Sequence, residues 1–281
     1  QTLRLASEGF TPNEIAEEIE LPRALRASFS TRGYYGTVRH NAKAVYQAYF
    51  GWYDGNPAHL DPLPPALAAP RYVELMGGAE NVLRRSQASF DEGEYRWVAE
   101  VLNHLVFAEP ANAEARALLA RTYDQLGYQS ESASWRDVYL TAAYELRHGA
   151  PKEGIDYSGG VELLRRTPLP RFFDAMATRL DGPKADGLQM TVNVVFTDLK
   201  ESYVLTLDNA VLHHKRAAPD PKANATVKLT HDFYLRMAIG EAGVRETLLS
   251  DDLAVEGSRI DLVRFFSLFD RPKGNFNIVT P

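Results

Sequence analysis

The sequence of 281 residues contains no cysteine, which excludes disulfides, thiolate zinc sites and cysteine nucleophiles. It also lacks an uninterrupted apolar run of about 18 residues, the length that a membrane-spanning helix needs. Positive charge is not in excess, since 31 Lys and Arg stand against 37 Asp and Glu for a net charge of −6. This balance argues against nucleic acid as the main partner.

The motifs of several enzyme classes are also missing. The sequence has no Gly-x-x-x-x-Gly-Lys phosphate loop, no Gly-x-Ser-x-Gly elbow and no dinucleotide glycine fingerprint. None of its seven histidines pairs with another histidine or a carboxylate in a recognised metal-ligand motif. His213 and His214 are adjacent in a predicted strand, so their side chains point to opposite faces and do not easily share one metal. The residues therefore predict no metal site in this chain.

The first half of the sequence has the spacing of amphipathic helices. Residues 1–21 predict a helix that is interrupted once and restarted by a capping box formed by Thr11 and Glu14. Residues 32–41 predict a loop, and residues 42–50 predict a short helix. Longer helices are predicted at roughly 69–91, 94–108, 112–126 and 131–148.

Part of this helical region has the pattern of a repeat. Residues 95–132 resemble a tetratricopeptide-type helical hairpin, with a Pro-x-Asn-Ala-Glu-Ala turn between its helices. Such hairpins do not bury their apolar faces alone, so a packing partner is implied. A plain helical bundle without a partner surface is the alternative.

The second half changes period after a linker rich in glycine and proline. A helix at 172–180 precedes a strand in which alternate residues are apolar: Leu188, Met190, Val192, Val194 and Phe196. Further strands and helices are predicted at 203–207, 226–229, 231–240, 253–255 and 258–269. The pattern predicts an α+β domain with an antiparallel sheet covered by helices. The last helix is more apolar than one core face needs, which fits either an ordinary buried helix or the lining of a lipid pocket.

Residues 32–57 concentrate hydrogen-bond donors, aromatic rings and glycines in one segment. Arg39 and His40 could bind an anion there, while the aromatic rings pack against an alkyl chain or a domain surface. A well-anchored interdomain loop is the alternative. A helix-turn-helix that starts at Gly9 is disfavoured, because no basic recognition helix follows Pro22.

The same segment carries a resemblance to a known family. It reads Arg-Gly-Tyr-Tyr-Gly-Thr-Val-Arg-His-Asn-Ala-Lys-Ala-Val-Tyr-Gln and then Gly-Trp-Tyr-Asp-Gly-Asn-Pro-Ala. These motifs resemble the bacterial alkylsulfatases, zinc-dependent hydrolases of the metallo-β-lactamase superfamily. The resemblance is specific over 1–150 and looser over 151–281. It continues in residues 72–78, 93–108, 125–129, 144–149 and 276–281.

The resemblance implies three parts in a full chain, of which this sequence would hold the last two. The missing part would be an N-terminal metallo-β-lactamase domain that binds two zinc ions, since its His-x-His-x-Asp-His run is absent here. The start at Gln1, not at methionine, also suggests a piece of a longer chain. The piece alone would hold no zinc and would be inactive. The domains implied are 1–65 (helical lead and loop facing the active site), 66–150 (helical dimerisation domain), 151–168 (linker) and 169–281 (sterol-carrier-like α+β domain).

The resemblance also implies a function and two site residues. The parent would hydrolyse alkyl sulfate esters such as dodecyl sulfate, and this part would supply homodimerisation, closure of the active site and a surface for the alkyl tail or another amphiphile. His40 matches a family histidine near the sulfate, with sulfate binding or proton donation as its role. Trp52 stands where the family has a tyrosine, so a role in packing against the substrate is retained but a hydroxyl is lost.

Other functions fit parts of the same pattern. A non-enzymatic helical-repeat scaffold joined to a lipid-binding domain is the main alternative, because the catalytic motif is absent. The residues do not fix the compartment, although relatives are often exported, to the periplasm or beyond.

Overall fold

The computed structural model describes residues 1–152, 161–239, 253–270 and 274–281. The chain divides into a helical unit, residues 1–152 with 276–281, and an α+β unit, residues 153–275. The predicted fold class, a helical part followed by an α+β domain, is confirmed. Among the described residues, no helix is long and apolar enough to cross a membrane.

The described residues of the helical unit form nine α-helices and two short 3₁₀ turns, Phe29–Thr31 and Pro57–His59. The predicted capping box at the start of the second helix is present, with Glu14 N donating to Thr11 Oγ1 at 3.4 Å and Thr11 N donating to Glu14 Oε2 at 2.8 Å. The helices are α1 Thr2–Ser7, α2 Pro12–Glu18, α3 Arg23–Arg26, α4 Val38–Phe50, α5 Pro65–Leu75, α6 Ala79–Asp91, α7 Tyr95–Ala108, α8 Ala113–Gln129 and α9 Ala133–His148.

The helix predicted over 69–91 is in fact two helices, α5 and α6. Gly77 and Gly78 separate them with φ angles of +88° and +85°, in the left-handed region that ends a helix. A Cβ atom at Gly77 would also lie 3.0 Å from Nδ2 of the Asn81 side chain. The hydrophobic period continues through the break, which is why periodicity alone predicted one helix.

The core of the helical unit lies among α7, α8 and α9. Its largest side chains come from α7 and α8, and small residues of α9 close the third side. Its buried members on these three helices are Val98, Leu102, Leu105, Val106, Ala115, Leu118, Leu119, Ala120, Ala142, Ala143 and Leu146. Arg116 ties α8 to the end of α9, because its Nε and Nη2 donate to the carbonyl oxygen of Leu146 at 2.9 and 2.6 Å.

The α+β unit has a five-stranded sheet and flanking helices. Its elements are α10 Val161–Arg165, α11 Leu169–Ala177, α12 Gly182–Ala185, β1 Met190–Phe196, β2 Glu201–Asp208, β3 Val211–Arg216, β4 Ala225–Leu229, α13 His231–Ala238, β5 Ala254–Gly257 and α14 Arg259–Ser267. The predicted linker 151–168 and the end of the helix predicted at 231–240 fall partly outside the described residues.

The strand order is β3-β2-β1-β4-β5, and every pair except one is antiparallel. The exception is β1 with β4, which run parallel with Val194 opposite Val227. The antiparallel prediction is therefore correct for three pairs and wrong for the fourth. The reason is the crossover after β3, which brings β4 to the far side of β1, a choice that alternation along one strand does not encode.

One face of the sheet forms the second core. The alternating residues of β1 point into it as predicted, and α11 and α14 cover them with Phe173, Leu262 and Phe265. Ile260 and Val263 of α14 are exposed, so only part of that apolar helix faces the core.

The last six residues, 276–281, pack against the helical unit, although the predicted domain 169–281 includes them. Val279 is buried in the helical core. The carboxylate of Glu145, itself 4% exposed, accepts hydrogen bonds from the backbone nitrogens of Ile278 and Val279 at 3.0 Å. A buried carboxylate is stable only when such donors satisfy it, so Glu145 and this C-terminal segment depend on each other.

We expect Glu145→Ala to release the C-terminal segment. The two backbone N–H groups would lose their acceptor, which costs about 1–3 kcal/mol for buried groups. Hydrogen exchange of the Ile278 and Val279 amides should accelerate about 5- to 150-fold. Asp137→Ala, an exposed change on the same helix, is the control and should leave both amides protected. Equal protection in the two variants would contradict the role of Glu145.

Candidate functional site

His40 lies on the first turn of α4, not in a loop as predicted from residues 32–41. Thr37 caps the helix, since its hydroxyl accepts a hydrogen bond from His40 N at 2.9 Å. The cap adds residues 38–41 to the helix that the sequence predicted from 42. The His40 side chain is exposed to solvent.

The segment before α4 is fastened to the start of α9. Ala133 N donates to the carbonyl oxygen of Tyr34 at 2.7 Å, and the Ser132 hydroxyl donates to the carbonyl oxygen of Tyr35 at 2.5 Å. Ser132 is buried, and Arg32 adds an ion pair with Glu131. The loop-like part of the motif is thus held by backbone contacts with a helix that lies far away in sequence.

Glycine is required within this segment by a close approach. A Cβ atom at Gly33 would lie 2.9 Å from the carbonyl oxygen of Gly36, a distance that real Cβ atoms do not show. The tight backbone path brings the Thr37 cap, and with it His40, into place.

Trp135 is the neighbour of His40 that the sequence did not reveal. Its indole Nε1 lies 3.4 Å from His40 Nδ1, and the two rings meet edge to face with centroids 6.3 Å apart. The residues are 95 positions apart, so no local motif joins them. The only available signal was the predicted start of a helix near residue 131.

Arg39, the other predicted anion-binding candidate, is engaged by an acid. Its guanidinium forms an ion pair with Glu17, which Arg96 also contacts at 2.8 Å. The hydrogen bond from Arg96 holds the pKa of Glu17 below its usual value, against an opposing effect of burial and with help from the charge of Arg39. Arg39 therefore joins α2 to α4 in this chain, and His40 is left as the exposed polar side chain of the pair.

Two surface concavities meet at Arg39 and Trp135. One has a volume of about 580 Å³ and includes residues of the 31–38 segment, among them Arg32 and Gly33. The other has a volume of about 780 Å³ and includes Lys43 and Arg96. Arg39, Gln129, Ser130 and Trp135 line both concavities, so the two are adjacent.

Trp52 lies just beyond the C-terminal end of α4. Gly51 ends the helix with a φ of +83°, and the Trp52 ring is 68% exposed, 5.6 Å from the ring of Tyr53. The turn that follows is held by Asp54, which accepts from Asn56 N at 3.0 Å and contacts His59 Nδ1 at 2.7 Å. The hydrogen bonds from Asn56 and His59 lower the pKa of the Asp54 carboxyl.

The two predicted site residues have different neighbours. His40 lies on the first turn of α4, whereas Trp52 lies beyond Phe50, the last residue of that helix. The ring of His40 meets Trp135, and the ring of Trp52 meets Tyr53.

Two other histidines, His104 and His214, contact side chains of the same chain. His104 packs against Tyr72 with ring centroids 4.3 Å apart, and burial lowers its pKa. His214 Nε2 lies 2.8 Å from a carboxylate oxygen of Asp174, whereas His213 is exposed on the opposite face of β3. Within the described ranges, no group of three or more His, Cys, Asp and Glu could hold a metal ion.

Comparison with known proteins places both units in one family. Residues 11–149 match the family model described as alkyl sulfatase dimerisation, and residues 158–281 match the model described as alkyl sulfatase C-terminal. The chain is 44% identical to a linear primary-alkylsulfatase and 46% identical to an (R)-specific secondary-alkylsulfatase, both from Pseudomonas sp.. Each match covers 100% of this chain and 42% of the relative.

A solved structure gives the same result. The stereoselective inverting sec-alkylsulfatase Pisa1 from Pseudomonas sp. matches with a TM-score of 0.89 and 46% identity, over 100% of this chain and 44% of that one. The chain thus spans less than half the length of the relatives that it matches. Over its helical and α+β units, the chain belongs to the alkylsulfatase family and corresponds to the dimerisation and C-terminal domains of that family.

Proposed function

We propose that the chain is the C-terminal part of an enzyme that hydrolyses alkyl sulfate esters, such as dodecyl sulfate, to an alcohol and sulfate. The observation that carries the proposal is the 44–46% identity to two alkylsulfatases over the whole of this chain. Both units match that family in the same order, which disfavours the alternative of a non-enzymatic scaffold joined to a lipid-binding domain. A parent chain with no metal-binding domain before residue 1 would overturn the proposal.

We assign two zinc ions of the proposed parent to an N-terminal metallo-β-lactamase domain, as the family resemblance implies. We expect this piece alone to be inactive. The piece would act by binding that domain and the substrate.

His40 is proposed to contact the sulfate group. An exposed imidazole on the first turn of a capped helix can reach a ligand brought by another domain, because its own backbone is fixed and its ring is free on one side. Histidine can donate a hydrogen bond or a proton near neutral pH. Either would stabilise negative charge on sulfate oxygens.

Trp52 is proposed to contact the alkyl tail. An indole that is mostly exposed leaves a large apolar surface in water, and covering it with a hydrocarbon chain is favourable. The sulfate contact is assigned to His40 and the tail contact to Trp52, so the two residues would bind different parts of one long ester.

The helical unit is proposed to form a homodimer. The description of its matched family is dimerisation, and several large apolar side chains stay exposed on it, including Leu75, Tyr128 and Val138. Exposed apolar groups of this size favour an interface.

Light scattering on the purified chain tests the dimer. We expect a mass of about twice the 31.4 kDa protomer, because the apolar residues of the helical unit would be buried between two copies. A protomer mass at micromolar concentration would contradict the proposed partner. The α+β unit alone is not a suitable monomer control, because the end of the chain, residues 276–281, belongs to the helical unit and would have to be removed from it.

His40→Ala in the full-length parent should lower kcat/KM for dodecyl sulfate about 100-fold, because a donor to the sulfate oxygens is lost. The matched control is His213→Ala, an exposed histidine on β3. Its activity should stay close to that of the parent. Unchanged turnover in His40→Ala would contradict a role at the sulfate while leaving the family assignment intact.

Trp52→Ala should weaken binding of long esters more than short ones. We expect KM to rise about tenfold for dodecyl sulfate, since lost apolar contact of the indole is worth about 1.4 kcal/mol or more. For a short-chain ester the same change should have little effect, and Trp52→Phe should retain most of the affinity. Equal losses for both chain lengths would show that Trp52 does not contact the tail.

A further inference from the structure

One ring nitrogen of His40 is already engaged within the chain. The indole Nε1 of Trp135 lies 3.4 Å from His40 Nδ1. An indole N–H can only donate, so Nδ1 must accept, and a neutral His40 then carries its proton on Nε2. Because the His40 side chain is exposed, the Nε2–H group is the one available to a ligand.

Trp135 is in turn held in place. The buried hydroxyl of Ser132 accepts from Trp135 N at 3.4 Å and donates to the carbonyl oxygen of Tyr35 at 2.5 Å. Ser132 thus links the first turn of α9 to the segment that leads into α4. Both partners of the Trp135–His40 contact therefore stand on capped first turns that one buried side chain joins.

We infer that Trp135 is a positioning residue that selects the Nε2–H tautomer of the neutral His40 ring, and that His40 presents this N–H to the sulfate as a hydrogen-bond donor. The identity of the ligand as a sulfate ester rests on the proposed function. The form of His40 rests on the contact with Trp135.

The choice of tautomer follows from the hydrogen-bonding groups that face each other. In the Nδ1–H tautomer, Nδ1–H would point at the indole N–H and two donors would oppose each other. In the Nε2–H tautomer, Nδ1 accepts from the indole and Nε2–H faces outward as a donor. This tautomer suits a hydrogen bond to a sulfate oxygen, which is an acceptor.

The first experiment reads the ring protons directly in the 281-residue chain. With ¹⁵N-labelled histidine at about pH 8, where an ordinary histidine is neutral, the two ring nitrogens of His40 have distinct shifts when one is protonated. The His40→Gln variant identifies the resonances by removing them. We expect an unprotonated Nδ1 and a protonated Nε2 in the unaltered chain. A protonated Nδ1 there would overturn the inference without any further variant.

The second arm removes the indole N–H alone. Trp135→Phe keeps an aromatic ring but no donor, so the two neutral forms of His40 should become mixed. Trp97→Phe, the same change at a half-exposed residue of α7, is the matched control and should leave the His40 shifts as they are. Identical His40 shifts in all three chains would show that Trp135 does not select the form.

Kinetics of the full-length parent separate hydrogen bonding from proton transfer. Glutamine donates a hydrogen bond but does not transfer a proton, so His40→Gln should retain about tenfold more kcat/KM than His40→Ala. Trp135→Phe should raise KM about three- to tenfold with a smaller change in kcat. Equal activity of His40→Gln and His40→Ala would overturn the donor role. If neither change affects turnover, the proposed contact of His40 with the sulfate is wrong, whatever the protonation of the two ring nitrogens.

Discussion

The buried hydroxyl of Ser132 is the contact on which the geometry around His40 depends. It accepts from the first turn of α9 and donates to the backbone just before α4, so one side chain joins two helix starts that lie about a hundred residues apart. Without this hydroxyl, the Tyr35 carbonyl oxygen would lose a donor and the Trp135 backbone nitrogen would lose an acceptor. The contacts at the first turns of α4 and α9 therefore determine the position of the exposed His40 ring.

Two exposed side chains flank α4. His40 stands on its first turn and presents a polar group, whereas Trp52 lies beyond its last residue, Phe50, and presents an apolar surface. Neither is covered by the described residues of this chain. A rigid helix with two uncovered ends suits a surface that another domain completes, and it keeps the ordering cost of binding low.

The sequence allowed the local features to be predicted, but not the contacts between distant segments. Period and capping residues located the α2 capping box, α7 to α9 and the alternation in β1, because those signals lie within a few residues of each other. The break at Gly77 and Gly78 was missed, since the apolar spacing runs through it. Trp135 and the parallel pairing of β1 with β4 were not predicted, because both depend on contacts between residues 30 or more positions apart. The family motif located His40 but gave no information on what holds its ring.

The return of residues 276–281 to the helical unit changes the topology of the whole chain. Since both the segment before residue 153 and the segment after residue 275 belong to the helical unit, the α+β unit is an insertion and not a terminal appendage. It is tethered by two covalent connections, so a single proteolytic cut in either one leaves the two units joined. After a cut in the first connection, the link that remains ends in residues 276–281, which the buried Glu145 carboxylate holds in the helical unit.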